Sequence, residues 1–467
     1  MHLPEGAGKP CALIPSRSKT RGVLERIFKL RANGTTPGRE LLAGLTTFAA
    51  MAYILAVNPE ILAAAGMPRD ALLTATAVSA ALATLLMAFL TNLPIALAPG
   101  MGINAFFAFS ICLTMKVPWQ SALGLVFVNG CIFLLLSLTG IREKIIDAIP
   151  HSLKVAVTAG IGLFIALIGL QNGGLVVANS TTMVSLGDLS TPSVALFFGG
   201  ILLTAALVIL RVPGAILLSV LAISLVGLLI PDGAGGHITK WPAHLFSAPA
   251  SIEPTLFKLN FNLFASDPMR AVALTVTLLF VDLFDNIGSL IAVTRRAGLV
   301  GSDDKIPRVG QALIADSSAA ICSALLGTST VVTYIESATG VQAGGRTGLT
   351  AVTTAACFLL ALVFTPVFLA IPAVAIAPAL VMVGVFMFEA VTELDARDMV
   401  DFAPAVLTIL MMPLAYSISS AMGLGLLALV LLAAVTGRRE RLHPVILVLA
   451  GVFLLHFLQG PLLGIPK

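Results

Sequence analysis

The chain has 467 residues, of which 58% are hydrophobic and 11% charged, and its formal net charge is +4. An ordinary globular chain has about 25% charged residues, so this composition excludes a single water-soluble core and predicts a polytopic membrane protein. Aromatic residues make up only 6%, and small apolar residues dominate. Because small residues allow helices to pack closely, the predicted fold class is all-α, with helical spans rather than a β-barrel.

Residues 1–40 form a polar leader with eight Lys and Arg residues ahead of the first apolar run. No apolar stretch of about 7 to 15 residues follows an early charge cluster, so the leader does not resemble a cleavable signal. The positive-inside rule predicts a cytoplasmic N-terminus on a multi-pass protein of the cell membrane. A nucleic-acid-binding arm is the alternative for a basic leader, but the many spans disfavour it. The five cysteines have neither disulfide nor metal-site spacing.

Apolar runs of the length that a bilayer requires, about 17 to 25 residues, follow in two groups. A polar stretch at 231–268 separates the groups. The first group lies at 42–64, 70–91, 95–115, 119–139, 152–175, 192–210 and 213–230. The second lies at 269–294, 309–327, 329–345, 347–369, 371–389, 402–418 and 421–436. A last run at 444–459 is either an additional crossing or a surface helix.

This grouping predicts two seven-span repeats at 41–230 and 269–436, a connecting loop at 231–268 and an extra apolar segment at 437–467. An odd number of crossings turns the second repeat over relative to the first. The prediction is therefore about 14 transmembrane helices arranged as a 7+7 inverted repeat.

Matched interruptions in the third and tenth runs mark the predicted binding site. Pro99 and Gly100 precede Asn104 in the third run, and Gly327 precedes Glu336 in the tenth. Broken spans at corresponding positions free backbone N–H and C=O groups near the bilayer midplane, where ligands bind in inverted-repeat transporters.

Glu336 is an ionisable residue inside one of these interrupted spans. A charge at the bilayer centre costs at least about 2.5 kcal/mol on insertion scales, so an intramembrane carboxylate predicts a functional site. An acid that only joins two helices is the structural alternative. Tyr334 precedes Glu336 by two residues, and an extended segment would place both side chains on one face. A flat ring beside a carboxylate suits a planar heterocycle with N–H donors, although an interfacial tyrosine fits this position as well.

The eighth run carries two further acids. Asp282, Asp285 and Ser289 are spaced i, i+3 and i+7, so they share one face of a helix. Two neighbouring carboxylates do not both ionise easily at low dielectric, and such a pair is typical of a proton carrier. A structural pair that caps a helix break is the alternative. Asn104 has both a donor and an acceptor, so it can read the edge of a ring or satisfy loose backbone groups.

Six segments resemble the adenine/guanine/hypoxanthine permease branch of the xanthine/uracil permease superfamily. They follow the family order between residues 40 and 435, and several are long enough to be specific. They read TFAAMAYILAVNP at 47–59, APGMGINAFF at 98–107, GIGLF at 160–164, DLFD at 282–285, ESATG at 336–340 and GGRTG at 344–348.

The resemblance implies fourteen spans divided into a core domain (spans 1 to 4 and 8 to 11) and a gate domain (spans 5 to 7 and 12 to 14). Short extended strands would interrupt spans 3 and 10, and a purine would lie between those strands and span 8. Asp282 and Glu336 would hydrogen-bond the purine, Asn104 would lie at the facing strand, and Asp285 would support coupling. The predicted substrate-binding residues are Asp282, Glu336, Asn104, Tyr334, Phe106 and Thr339, and the predicted proton-coupling residues are Asp285, Glu336 and Asp282.

One motif departs from the family. Many relatives read Asp-Thr-x-Gly-Thr where this chain has Asp285-Asn286-Ile287-Gly288-Ser289. The exchanged side chains still form hydrogen bonds, so the change bears on fine specificity rather than on activity.

The predicted function is a secondary active transporter, not an enzyme, that imports hypoxanthine, guanine and adenine with protons and uses no cofactor or metal. Its expected partners are the purine, the lipid bilayer and, by analogy with the superfamily, a second copy joined through the gate domain, but no nucleic acid.

Sodium is the alternative coupling ion, because carboxylates and broken-helix carbonyls can hold it. An anion transporter would need a cation at the site. An intramembrane enzyme would need a nucleophile and base or a metal set, which the six histidines do not form.

Overall fold

The computed structural model describes residues 22–139, 150–232, 236–242, 244–296 and 308–463. The first half of the predicted basic leader lies outside these ranges. Within them, nine helices are long and apolar enough to cross a membrane. The predicted class, a helical multi-pass membrane protein, is therefore confirmed.

The helices follow the predicted runs closely, with one interruption in the first run. That run is divided into two helices at Ala52 and Tyr53. In the first half the helices are α1 (Val23–Phe28), α2 (Pro37–Met51), α3 (Ile54–Ala63), α4 (Arg69–Thr91), α5 (Met101–Ala105), α6 (Trp119–Thr139), α7 (His151–Asn172), α8 (Pro192–Ile209) and α9 (Ala215–Gly227). A π-helix at Phe106–Thr114 continues α5.

The second half begins after the polar stretch that was predicted from the sequence. Its helices are α10 (Asn262–Ser266), α11 (Pro268–Arg296), α12 (Val309–Leu326), α13 (Ser337–Gln342), α14 (Gly348–Ala361), α15 (Thr365–Ala370), α16 (Ala373–Phe388), α17 (Met399–Leu414), α18 (Ile418–Val435) and α19 (Pro444–Leu463). Short 3₁₀ turns at Leu362–Phe364, Glu389–Glu393 and Arg439–Arg441 connect some of them.

Two short strands from distant parts of the chain pair inside the protein. β1 (Leu97–Pro99) and β4 (Val331–Thr333) are antiparallel, with Ala98 opposite Val332. All six residues are buried. The pairing continues at both ends, where the Gly100 N–H donates to the Thr330 carbonyl at 3.0 Å and the Tyr334 N–H to the Ala96 carbonyl at 3.0 Å. Buried backbone groups require such partners, so each broken span satisfies the other.

A β-hairpin, formed by β2 (Val176–Asn179) and β3 (Met183–Leu186), is largely exposed and lies between α7 and α8. It takes no part in the β1–β4 pairing, because the two sheets are separate.

Close helix packing depends on small residues, as the composition predicted. α7 packs against α16 and α17. A Cβ atom built on Gly162 would lie 2.6 Å from the Gly384 carbonyl oxygen, and one built on Gly384 would lie 2.5 Å from that of Gly162. Neither position has room for a side chain, so the backbones of α7 and α16 are in direct contact.

The last predicted apolar segment, at 437–467, contains α19. Ile446, Ala450 and Phe453 on one face are buried, whereas Val448 and Leu455 are exposed. The helix packs against α18 and also contacts α11. This segment therefore belongs to the folded helical body.

Candidate functional site

The paired strands bring three helices together. β1 leads into α5 and β4 leads into α13, so both broken spans become helical again just after they pair. α11 packs against β4, α5 and α13. The predicted acids of α11 therefore lie on the helix that borders the strand pair.

Asp282 is held by two neutral amides. Its side chain is buried in α11. Oδ2 accepts a hydrogen bond from Asn129 Nδ2 of α6 at 2.9 Å, and Oδ1 accepts one from Asn286 Nδ2 at 2.8 Å. Both oxygens are thus oriented by donors that carry no charge.

Asn286 links this acid to β4. While its Nδ2 donates to Asp282, its Oδ1 accepts from the Thr333 N–H at 3.0 Å. The side chain is buried. This is the position where many relatives have threonine, and an asparagine offers a separate donor and acceptor where threonine has one hydroxyl.

Glu336 lies in the turn between β4 and α13 and is partly exposed. Its Oε1 accepts a hydrogen bond from the Tyr53 hydroxyl at 2.6 Å. Tyr53 lies in the interruption between α2 and α3 and is 2% exposed. The acid of the tenth span is therefore held by the first span.

The expectation that Tyr334 and Glu336 share one face of an extended segment is wrong. β4 ends at Thr333, and the backbone turns at Ile335 and Glu336. The Tyr334 hydroxyl is directed instead to the Pro99 carbonyl, at 2.7 Å. Pro99 has no N–H, so it takes part in the strand pair as an acceptor only.

Asn104 lies near the strand pair but not on a strand. β1 ends at Pro99, and Asn104 is fully buried in α5, which corrects the expectation of a strand position. Ser329 Oγ donates to its Oδ1. Its Nδ2 has no hydrogen-bond partner among the described residues, so a buried donor is available beside the strands.

The other predicted site residues have local surroundings. Phe106 begins the π-helix and is fully buried in the main hydrophobic core. Thr339 Oγ1 donates to the Glu336 carbonyl at 2.7 Å, which stabilises the first turn of α13. Asp285 lies on α11, but its side chain is outside the described part of the structure.

Comparison with known proteins identifies the family. The model of the Permease family that covers xanthine and uracil permeases matches residues 38–456. The chain belongs to the xanthine/uracil permease family. It is 39% identical over 440 residues to the adenine permease AdeP of Escherichia coli, covering 94% of this chain and 97% of that protein. It is 40% identical over 445 residues to the guanine/hypoxanthine permease PbuG of Bacillus subtilis, covering 93% and 99%.

The permease also has the fold of a solved transporter. The transmembrane domain of the cyanobacterial bicarbonate transporter BicA aligns with a TM-score of 0.61 at 15% identity, covering 81% of this chain and 96% of that one. At this identity the likeness concerns the fold alone. Membership of the permease family makes the protein a membrane transporter and not an enzyme.

The permease has a further buried carboxylate, which its sequence did not predict as a functional residue. Glu40, at the start of α2, is fully buried. It accepts hydrogen bonds from the backbone N–H groups of Arg346, Thr347 and Thr350 at 2.9 to 3.2 Å, and from two threonine hydroxyls at 2.7 and 2.9 Å. A carboxylate at a helix N-terminus satisfies free N–H groups, so Glu40 caps α14.

Asn129 and Tyr53 were also missed as site residues. Each is a polar side chain inside an apolar run, which was the available signal. Their partners are 153 and 283 residues away in sequence, so no local pattern indicates which acid they contact.

Proposed function

We propose that this permease imports the purine nucleobases hypoxanthine, guanine and adenine by proton symport. The observation that carries the proposal is the placement of two carboxylates beside β4: Asp282 on α11, which packs against this strand, and Glu336 in the turn that follows it. Each is oriented by a neutral donor. Two acceptors aimed from neighbouring elements suit a flat ligand that has several N–H donors.

Asn104 adds a donor to these acceptors. Its Nδ2 is buried without a partner among the described residues, and a buried polar group without a partner costs about 1 to 3 kcal/mol. A ring nitrogen or carbonyl of a purine would remove that cost. A purine whose N–H donors find no acceptor in the site would pay the same free-energy cost, so the site would discriminate between purines.

The relatives support this ligand class, since AdeP is an adenine permease and PbuG a guanine/hypoxanthine permease. A purine has about ten heavy atoms, so the ceiling of about 1.5 kcal/mol per atom permits micromolar binding through a few directed hydrogen bonds.

Alternating access would use a fourteen-span inverted repeat with a cytoplasmic N-terminus. Packing of α4 against α14 and of α6 against α12 supports the repeat, because these pairs are spans 2 with 11 and 4 with 9, which the repeat makes equivalent. A gate set of α7 to α9 and α16 to α18 would move against the remaining spans. Packing of α7 on α16 and α17 and of α8 on α9 and α16 supports that set. Two copies would pair through it.

Proteoliposome uptake tests the proposal. Radiolabelled hypoxanthine, guanine and adenine are offered under an inward proton gradient to wild type, Glu336→Gln and a control, Glu389→Gln, which alters an exposed glutamate. We expect concentrative uptake that collapses with a protonophore, is lost in Glu336→Gln and persists in the control.

Two other results would revise the proposal. Uptake that follows a sodium gradient and ignores the proton gradient would overturn the coupling ion while keeping the site. Absence of purine uptake under either gradient would overturn the substrate class.

A further inference from the structure

We propose that Tyr53 is a positioning residue for Glu336: its hydroxyl occupies one carboxylate oxygen and directs the other toward the ligand. This inference rests on the proposed function. The Tyr53 hydroxyl and Glu336 Oε1 are 2.6 Å apart, a short hydrogen bond. Hydrogen bonds to a charged acceptor are stronger than those between neutral groups.

The position of Tyr53 in the chain suits this role. It lies at the interruption between α2 and α3, where the helix gives way to a turn. The ring is 2% exposed and packs in the main hydrophobic core. A ring fixed in this way holds its hydroxyl at one place, so the hydroxyl can define where the carboxylate lies.

The same span also fixes the backbone that follows Glu336. A Cβ atom built on Gly340 of α13 would collide with the Thr47 hydroxyl of α2 and lie 2.6 Å from the Ala43 carbonyl oxygen, so the backbone of α13 packs directly against α2. Farther along, Glu40 of α2 caps α14. α13 and α14 are therefore held against α2 by contacts that do not involve Tyr53.

This arrangement separates two functions of the first span. Glu40 and the contact at Gly340 hold the backbone, whereas Tyr53 holds one side chain. Removal of the Tyr53 hydroxyl should therefore leave the helices in place and free the carboxylate of Glu336 to rotate. A freely rotating carboxylate loses conformational entropy when it binds a ligand, so the affinity for the ligand falls.

The first test is Tyr53→Phe, which keeps the ring and removes the hydroxyl. We expect KM for purine uptake to rise about tenfold, because a hydrogen bond to a charged group is lost, while Vmax changes less than about twofold. The matched control is Tyr416→Phe, which removes a hydroxyl that donates at 3.0 Å to the Gln171 amide oxygen and not to an acid. The control should keep the wild-type KM, and both variants should match wild type in membrane abundance and melting temperature.

The second test is a double-mutant cycle on equilibrium binding of radiolabelled purine to the purified permease. Tyr53→Phe should weaken binding about tenfold in wild type but less than about twofold in Glu336→Gln, since the partner is then already altered. An equal loss in both backgrounds would overturn the positioning role. So would a wild-type KM in Tyr53→Phe, even though wild-type uptake would leave the proposed function intact. Absence of purine uptake by wild type would instead overturn the proposed function and this inference with it.

Discussion

The acids beside the strand pair and the acids at the start of α17 have different kinds of partner. Asp282 accepts from two amides and Glu336 from a phenol. Asp398, by contrast, contacts the guanidinium groups of Arg438 at 2.5 Å and Arg441 at 3.5 Å. A guanidinium supplies the opposite charge to the carboxylate that it holds, whereas an amide or a phenol orients a carboxylate without supplying one.

The two guanidinium groups also affect the pKa of Asp398. Partial burial of Asp398 opposes its ionisation, but hydrogen bonds from Arg438 and the Val400 N–H, with the charges of Arg438 and Arg441, lower its pKa overall. Asp398 therefore stays ionised at neutral pH and serves as a fixed link between α17 and the segment after α18.

The largest expected effect belongs to Glu40, the buried acid that caps α14. Glu40→Ala leaves its backbone and hydroxyl donors without an acceptor, so we expect about 4 kcal/mol of destabilisation. Thermal unfolding in detergent and yield in the membrane measure this loss. Glu393→Ala is the control, because Glu393 is exposed and pairs only with His151 among the described residues. Equal melting temperatures for the two variants would show that the buried acid does not stabilise the fold more than the surface acid does.

Asp282→Asn should have the next largest effect. An amide at this position would direct its NH₂ group toward a donor of Asn129 or Asn286, and each unmatched buried group costs about 1 to 3 kcal/mol. Vmax/KM for purine uptake should fall about 100-fold. The control variant Asp398→Asn makes the same exchange at the surface, and it should retain most of the wild-type purine uptake. A loss of similar size in both variants would remove the distinction between the two regions.

Asn286→Thr tests the chain's departure from its relatives. The threonine hydroxyl is a single atom on a shorter side chain, so it cannot span from the Asp282 carboxylate to the Thr333 N–H as the two ends of the asparagine amide do. The loss of about one net hydrogen bond, about 1 kcal/mol, should change the ratio of Vmax/KM between two purines about fivefold. Uptake of adenine and guanine measured side by side gives this ratio, and an unchanged ratio would exclude Asn286 as a specificity determinant.

The smallest effect is a pH dependence of stability at Asp398. Because the folded-state pKa is lowered, the ion pairs stabilise the fold above the ordinary Asp value of 3.8 and lose this contribution as pH falls through the lowered value. Asp398→Asn should therefore reduce the melting temperature slightly at pH 7, and the difference from wild type should shrink as pH falls below 3.8 toward the lowered folded-state pKa. A difference that grows on acidification would contradict this sign.

Much of the architecture could be predicted because charge is rare in this chain. Asp282 and Glu336 were recognised because acids in apolar runs are costly, and the broken spans because Pro99 and Gly327 interrupt helices. The strands within those spans were expected from the resemblance to the family. Glu40 was not recognised, since it borders the polar leader and looks like part of it. Only the folded chain brings the free N–H groups of α14 to its carboxylate.

The bonds between distant residues could not be predicted. The strand expected to reach Glu336 ends at Thr333, because the backbone turns at Ile335 and Glu336, directly after the Tyr334 N–H bonds to the Ala96 carbonyl. The pairing of Tyr53 with Glu336 depends on how the first and tenth spans pack. Spacing within either segment carries no information about that packing.

The pairing of β1 with β4 has a consequence for biosynthesis. Tyr334 and Pro99, which hydrogen-bond across the strand pair, are 235 residues apart in sequence. At about 5 to 20 residues per second, the ribosome needs about ten to fifty seconds to make the intervening chain. During that interval the third span carries backbone groups without partners, and lipid cannot satisfy them. The nascent third span must therefore stay beside the insertion machinery or near water until the tenth emerges. Insertions between the two spans should lengthen this period of exposure to quality-control proteases.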